Sequence, residues 1–225
     1  MVITDDNFAS IVNAIEEGRN IIKNLKNAIK YLLSCNISEA LSLIIGLVFN
    51  IPHLFYAIQL LYVNLVTDGF PALALAFSPK ESNILKQPPE KQLHLLKRAD
   101  QLYIGVVGLL STVIIIAGYF IFKSQGLGQT AAFSILTLIQ SFILVDLWLS
   151  HHSLKVSGRK LLQPIFVIAF ALPFIFQYSL LRVTSLAGIF KIQTVDNNTF
   201  VLFIVCAVMI LLSIRYVKKI LQIKT

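Results

Sequence analysis

Six apolar stretches constrain this chain more than anything else in it. They lie at about residues 28–49, 54–77, 101–122, 130–150, 161–181 and 198–214, each 17 to 24 residues long. A helix needs about 20 apolar residues to cross the hydrocarbon core of a bilayer. Inside that core an α-helix satisfies all of its own backbone hydrogen bonds, which an open strand does not. The expected fold class is therefore an all-α polytopic membrane protein with six transmembrane helices. Composition agrees: only 13% of residues are charged, against about 25% in a soluble domain.

The net charge of +8 would suit a nucleic-acid binder, but its distribution argues otherwise. Threading the chain through six spans puts sixteen of the nineteen Lys and Arg residues on the side that holds the N-terminal segment. Only Lys123, Arg182 and Lys191 fall on the other. Positive charge accumulates on the cytoplasmic side of membrane proteins, so both termini are expected there, and no nucleic-acid partner is expected. Residues 1–20 are polar and acidic, without the apolar core of a cleavable leader. An integral, multi-pass protein of the cell (plasma) membrane, in contact with lipid, is the expected location.

The segment before the first span has helical periodicity. Asp5, Asp6 and Asn7 offer N-caps. Ile11, Ile15, Ile22, Leu25, Ile29 and Leu32 recur at helical spacing, and Glu16, Glu17, Arg19, Lys23, Lys26 and Lys30 form a polar face expected to be solvated or packed on other domains. The polar face fades near Ala28, so residues 8–49 read as one helix, a stalk running into a span. At about 1.5 Å per residue it extends roughly 60 Å. Asn50-Ile-Pro-His53 reads as a turn that returns the second span beside the first. Pro79, Pro88 and Pro89 break the polar loop over residues 78–100. Pro164 and Pro173 are expected to kink the fifth span.

The polar residues inside the spans carry the chemistry. The second span contains Val63-Asn-Leu-Val-Thr-Asp-Gly-Phe-Pro71, with Asn64, Thr67 and Asp68 at i, i+3 and i+4. A carboxylate at the bilayer centre costs about 2.5–3.5 kcal/mol on insertion scales, and Gly69 and Pro71 loosen the helix beside it. In the first span Asn36 and Glu39 share a face, at the depth expected of Asp68. Carboxylate, amide, hydroxyl and backbone carbonyl oxygens together suit a hard cation, so the pattern points to ion transport. Gln140, alone in the fourth span, has two open readings: ligand, or hydrogen-bonding partner between helices. Asp146 with His151 and His152 resembles a metal cluster in sequence only. Snorkelling at the interface beside Trp148 is the preferred reading. Cys35 and Cys206, unpaired in apolar segments, read as small buried hydrophobes.

Five motifs in order resemble the C-terminal membrane half of type II P-type ATPases, the calcium-pump-like cation transporters. They are Thr4-Asp-Asp-Asn-Phe8, Glu16-Glu-Gly-Arg-Asn20, Ser34-Cys-Asn-Ile-Ser-Glu39, Gln59 through Ala72, and Gln87-Pro-Pro89. Beyond residue 100 the match lies in span count and hydropathy. The resemblance implies that the six spans are the family's fifth to tenth transmembrane helices. It implies Asn36, Glu39, Asn64, Thr67 and Asp68 as ion ligands, with Gln140 where an eighth-helix glutamate often completes a site. Ca²⁺ is the implied cargo and Mn²⁺ the second candidate.

The same resemblance divides the chain into residues 1–27, the end of a phosphorylation domain plus the stalk, and residues 28–225, the membrane domain. No Asp-Lys-Thr-Gly-Thr string is present, so hydrolysis of Mg-ATP belongs to a full-length pump, and the missing N-terminal half is the implied partner. The chain reads as a truncated or split product that does not hydrolyse ATP alone. The alternative is a stand-alone, non-catalytic ion-binding or assembly module. An ion-coupled secondary transporter would show an internal repeat, and residues 28–100 and 101–225 show none.

Overall fold

The computed structural model describes residues 8–79, 84–86, 95–150 and 163–221. It is all-helical over those residues, with six helices long and apolar enough to cross a membrane. The first, α1, runs unbroken from Phe8–Val48 over 41 residues, so the stalk and the first span are one helix. The second span has three parts: α2 (Ala57–Tyr62), a π-helical turn (Val63–Asp68) and α3 (Gly69–Ala76). Then come α4 (Arg98–Lys123), α5 (Gly128–Ser150), α6 (Pro164–Arg182), a short α7 (Thr184–Ile189) and α8 (Asn197–Leu221).

Local chemistry sets the helix ends. The Lys97 backbone N–H donates to Asp100 Oδ2 at 2.9 Å, capping α4 with an acid in its first turn, where the helix dipole favours negative charge. Pro164 does not kink a helix as expected; it opens α6 in the first turn, where its missing N–H costs nothing. Pro173 does lie inside α6. The Asp196 carboxylate accepts the Thr199 N–H at 3.2 Å at the start of α8. Asn50 and His53 turn the chain with positive φ angles of 51° and 52°.

Helix α5 is the axis of the bundle. Nineteen of its 23 residues are buried, and it touches α1, the second span, α4, α6 and α8. A helix that is apolar nearly all round belongs inside. Close approach is possible because α4 presents glycines to its neighbours. A Cβ on Gly108 would lie 2.5 Å from Ile37 Cγ2 of α1, and one on Gly118 would lie 2.2 Å from Ile135 Cδ1 of α5. Small residues at such crossings are the usual means of packing helices in membranes.

Further sequence expectations need correction. The stalk's polar face is not wholly solvated or left to other domains: Lys30 is buried, as are Asn20, Asn24 and Asn27, while Ile15 and Leu25 of the apolar stripe are 48% and 46% exposed. Hydrogen bonds and an ion pair tie Asn24, Arg19 and Lys30 to the C-terminal end of the second span, to Ile84 and to α4. Asn24 Nδ2 donates to the carbonyls of Ser78 (2.7 Å) and Ala76 (3.3 Å), Arg19 donates to Ile84 O, and Lys30 pairs with Asp100 at 3.1 Å.

Asp146 does not snorkel at the interface either. It is buried, accepts from Tyr103 Oη at 2.8 Å, and pairs with Lys218 Nζ at 2.8 and 3.1 Å, joining α4, α5 and α8. Trp148, expected at the interface, is buried 4.7 Å from the Phe166 ring. Residues 182–197, which separate the last two spans, carry α7. The segment after it closes the end of the bundle opposite the stalk: Gln59 Nε2 donates to Phe190 O at 2.8 Å, and Gln193 N donates to Thr130 Oγ1 at 3.0 Å. The expectations on residues 1–7, His94, Pro88, Pro89, His151 and His152 lie outside the described residues.

Candidate cation site

The middle of the bundle is polar where α1, the π-helical turn and α5 meet. Pro71 has no N–H, so the Thr67 carbonyl four residues earlier loses its helical donor. The span is wound as a π-turn over Val63–Asp68 and does not break open at Gly69, a local distortion common at functional sites. Tyr31 of α1 supplies the missing donor, its hydroxyl 2.6 Å from Thr67 O. Sequence reasoning missed Tyr31. The signal was available, because Tyr31, Cys35, Ser38, Glu39 and Ser42 recur at helical spacing and are all buried on one face of α1.

Four of the six expected ligands come together. Glu39, Thr67, Asp68 and Gln140 are 6%, 0%, 2% and 0% exposed. Gln140 Nε2 donates to Glu39 Oε1 at 3.0 Å, and its Oε1 accepts from the Thr67 hydroxyl, which is also 2.9 Å from Val63 O. Asp68 stands close enough to Glu39 for their charges to interact, and the Cys35 thiol reaches it. Neither Asp68 oxygen accepts a hydrogen bond from nitrogen or oxygen. Cys35 is thus buried as expected, but against a carboxylate rather than among hydrocarbon alone.

Asn36 stands apart from this core, and Asn64 lies at its edge. Both are exposed, although Glu39 and Asp68 beside them in sequence are buried. Asn64 sits at the rim, with Nδ2 donating to Leu60 O at 2.9 Å and its side chain within reach of Glu39. Closing on the fifth residue rather than the fourth changes the angular offsets along the turn, so Asn64 and Thr67 no longer share a face. Asn36 lies on the outer surface of α1.

The donor set is two carboxylates, a hydroxyl, an amide and irregular backbone. These are hard oxygen donors, which suit Ca²⁺ or Mn²⁺ better than a soft metal. Among the described residues no three His, Cys, Asp or Glu side chains gather as a metal cluster, so the formal charge available to a cation here comes from Glu39 and Asp68.

The model of the C-terminal region of cation-transporting ATPases matches residues 52–220. Among curated proteins, the chain is 48% identical over 91 residues to "Calcium-transporting ATPase 2, endoplasmic reticulum-type" of Arabidopsis thaliana, covering 40% of this chain and 9% of that protein. It is 39% identical over 130 residues to "Endoplasmic reticulum calcium ATPase srcA" of Aspergillus fumigatus, covering 56% of this chain and 13% of that one. The chain therefore spans roughly a tenth of the length of the curated relatives it matches. On the family match, which takes in most of its length, this six-span chain belongs to the cation-transporting ATPase C-terminal family.

Proposed function

We propose that this chain is the cation-binding and translocation portion of an ATP-driven calcium pump. The observation that carries the reading is Asp68: a carboxylate buried to 2% exposure, beside a second acid, with neither oxygen hydrogen-bonded to nitrogen or oxygen. Burying an unpaired charge is among the costliest features a fold can hold. A divalent cation between Asp68 and Glu39 removes that cost and balances both charges. The matching calcium-pump names of the relatives support Ca²⁺ as the cargo, with Mn²⁺ as the competitor to be tested.

In this reading residues 28–225 form the membrane domain. Residues 1–27 are the stalk and the end of a phosphorylation domain supplied with the N-terminal half, where Mg-ATP is used. The stalk is continuous with the segment that carries Asn36 and Glu39, so its displacement moves Glu39 relative to the π-turn that carries Asp68. Asn36 and Asn64 lie at the exposed edge, where further helices of the pump complete the site. The charge distribution supports cytoplasmic termini. Both relatives carry endoplasmic-reticulum names, which stands against the cell-surface location expected from the sequence, so the reading keeps only an integral, multi-pass membrane placement.

The test is equilibrium binding of radioactive Ca²⁺ to the chain in lipid nanodiscs, with Mn²⁺ as competitor. Wild type takes up Ca²⁺ saturably and Asp68→Asn does not. Equal uptake by the two proteins refutes the assignment.

A further inference from the structure

The side of α4 that carries Tyr103, Val107, Gly108 and Ser111 is buried in the bundle, where α4 packs on α1, α5 and α8. Its other side is open and far from uniform. Arg98, Gln101, Leu102, Gly105, Val106 and Leu109 fall at i, i+3, i+4, i+7, i+8 and i+11, a single helical stripe, and line a groove of about 510 Å³. Gly105 makes its floor: a Cβ built there meets nothing within 4 Å. Leu102 and Leu109, 56% and 55% exposed, stand a turn to either side. The polar lining lies only at the stalk end, where Arg98 and Gln101 are exposed. Asp100, the acid of that turn, is held by Lys30 at 3.1 Å and caps the Lys97 N–H at 2.9 Å. Among the described residues it leaves the Arg98 charge without an ion pair.

We propose that this groove binds an anionic phospholipid of the stalk-side leaflet. The phosphate sits on the Arg98 guanidinium, the Gln101 amide donates to the ester region, and one acyl chain runs along Leu102, Gly105, Val106 and Leu109. Charge selects this occupant. A guanidinium holds phosphate through paired N–H donors. The stalk side, where the basic residues collect, is the cytoplasmic side by the positive-charge rule, and that leaflet carries the anionic lipid. A snorkelling arginine alone reaches any headgroup; the gap at Gly105 adds a fixed seat for a chain. The proposal does not depend on the cation site.

The test places a tryptophan beside the groove. Val113, 63% exposed and one turn beyond Leu109, is replaced in Val113→Trp on a Trp148→Phe background, and its side chain leans back towards the groove. In phosphatidylcholine nanodiscs, quenching by dibrominated phosphatidylglycerol is compared with quenching by dibrominated phosphatidylcholine at equal mole fraction. Phosphatidylglycerol is expected to quench more strongly, and Arg98→Gln to lower its relative binding constant roughly fivefold. Gly105→Leu, which fills the floor, lowers it as well. Leu212→Trp on α8, 56% exposed, serves as a second reporter that Arg98→Gln leaves unchanged. Equal quenching by the two lipids at Val113→Trp, the result expected if the groove seats a helix of the missing half instead, overturns the proposal. So does a preference that survives Arg98→Gln, or one lost equally at both reporters. If Trp148→Phe does not fold, native mass spectrometry of wild type and Arg98→Gln from mixed nanodiscs decides: wild type retains more phosphatidylglycerol, and equal retention overturns the site.

Discussion

Removing Lys218 from its partner should be the most destabilising single change at the stalk end of the bundle. The Lys218 ammonium and the Asp146 carboxylate meet at 2.8 Å, with the two side chains 18% and 8% exposed. Lys218 Nζ also lies 5.0 Å from the centre of the Tyr103 ring. Breaking a buried ion pair from one side costs about 3–5 kcal/mol, because the remaining charge is stranded in a poor solvent. In Lys218→Met the Tyr103 hydroxyl still donates to Asp146, which moves the expected loss to the low end of that range, about 3 kcal/mol. The cost of a stranded charge is distinct from the worth of the pair. Asp146→Asn combined with Lys218→Met keeps an acceptor for Tyr103 and removes both charges, so it should return to within about 1 kcal/mol of wild type.

Equilibrium unfolding in mixed micelles measures this directly. Trp148, the single tryptophan of the chain, is buried against Phe166 two residues from Asp146 and reports the transition. A Lys218→Met loss below about 0.5 kcal/mol would put the pair in the class of solvent-screened ion pairs and refute the burial argument. A double variant as unstable as the single one would show that side-chain packing, not charge, was lost.

Two further outcomes test the packing and the π-turn. Tyr31→Phe strands the Thr67 carbonyl and should cost about 1–3 kcal/mol, and Pro71→Ala, which restores an N–H four residues on, should recover part of that loss when combined with it. Both are read by the same unfolding assay, and no recovery would mean that Pro71 is not the source of the unpaired carbonyl. Gly108→Ala places a Cβ 2.5 Å from Ile37 Cγ2 and should cost about 1–3 kcal/mol, partly relieved by Ile37→Ala; a neutral Gly108→Ala would show that α1 and α4 separate easily.

Whether a feature was legible beforehand depends on how much of the chain its signal draws on. Span number and the joining of stalk to span depend on segment length and apolar continuity, which are properties of the chain alone, and the structure has them as expected. The meeting of Glu39 with Asp68 depends on two helices and a tight turn at Asn50–His53, and was legible because antiparallel neighbours match in depth. The failures share one cause: where several helices meet, a helical wheel drawn for one of them is not enough. Lys30 looked solvated until α4 brought Asp100 to it. Asp146 looked interfacial because its cation lies 72 residues away on α8, and nothing in the local sequence of α5 announces Lys218.

Asn64 is a different failure, and it bears on function. Its departure from the face of Thr67 goes with the π-turn over Val63–Asp68, and Pro71, seven residues on, leaves the Thr67 carbonyl to Tyr31. The proline that frees the Thr67 carbonyl thereby ties the second span to α1 through Tyr31, next to the π-turn that carries Asp68. If that is so, Pro71→Ala should do more than restore a backbone hydrogen bond. It should let the span relax towards regular α-helix, returning Asn64 towards the face of Thr67 and changing the position of Asp68 relative to Glu39. The expected readout is a Ca²⁺ affinity that falls about tenfold or more while the unfolding free energy rises, since proline inside a helix costs about 3 kcal/mol. A variant that gains stability and keeps its affinity would show that the π-turn is incidental to cation binding.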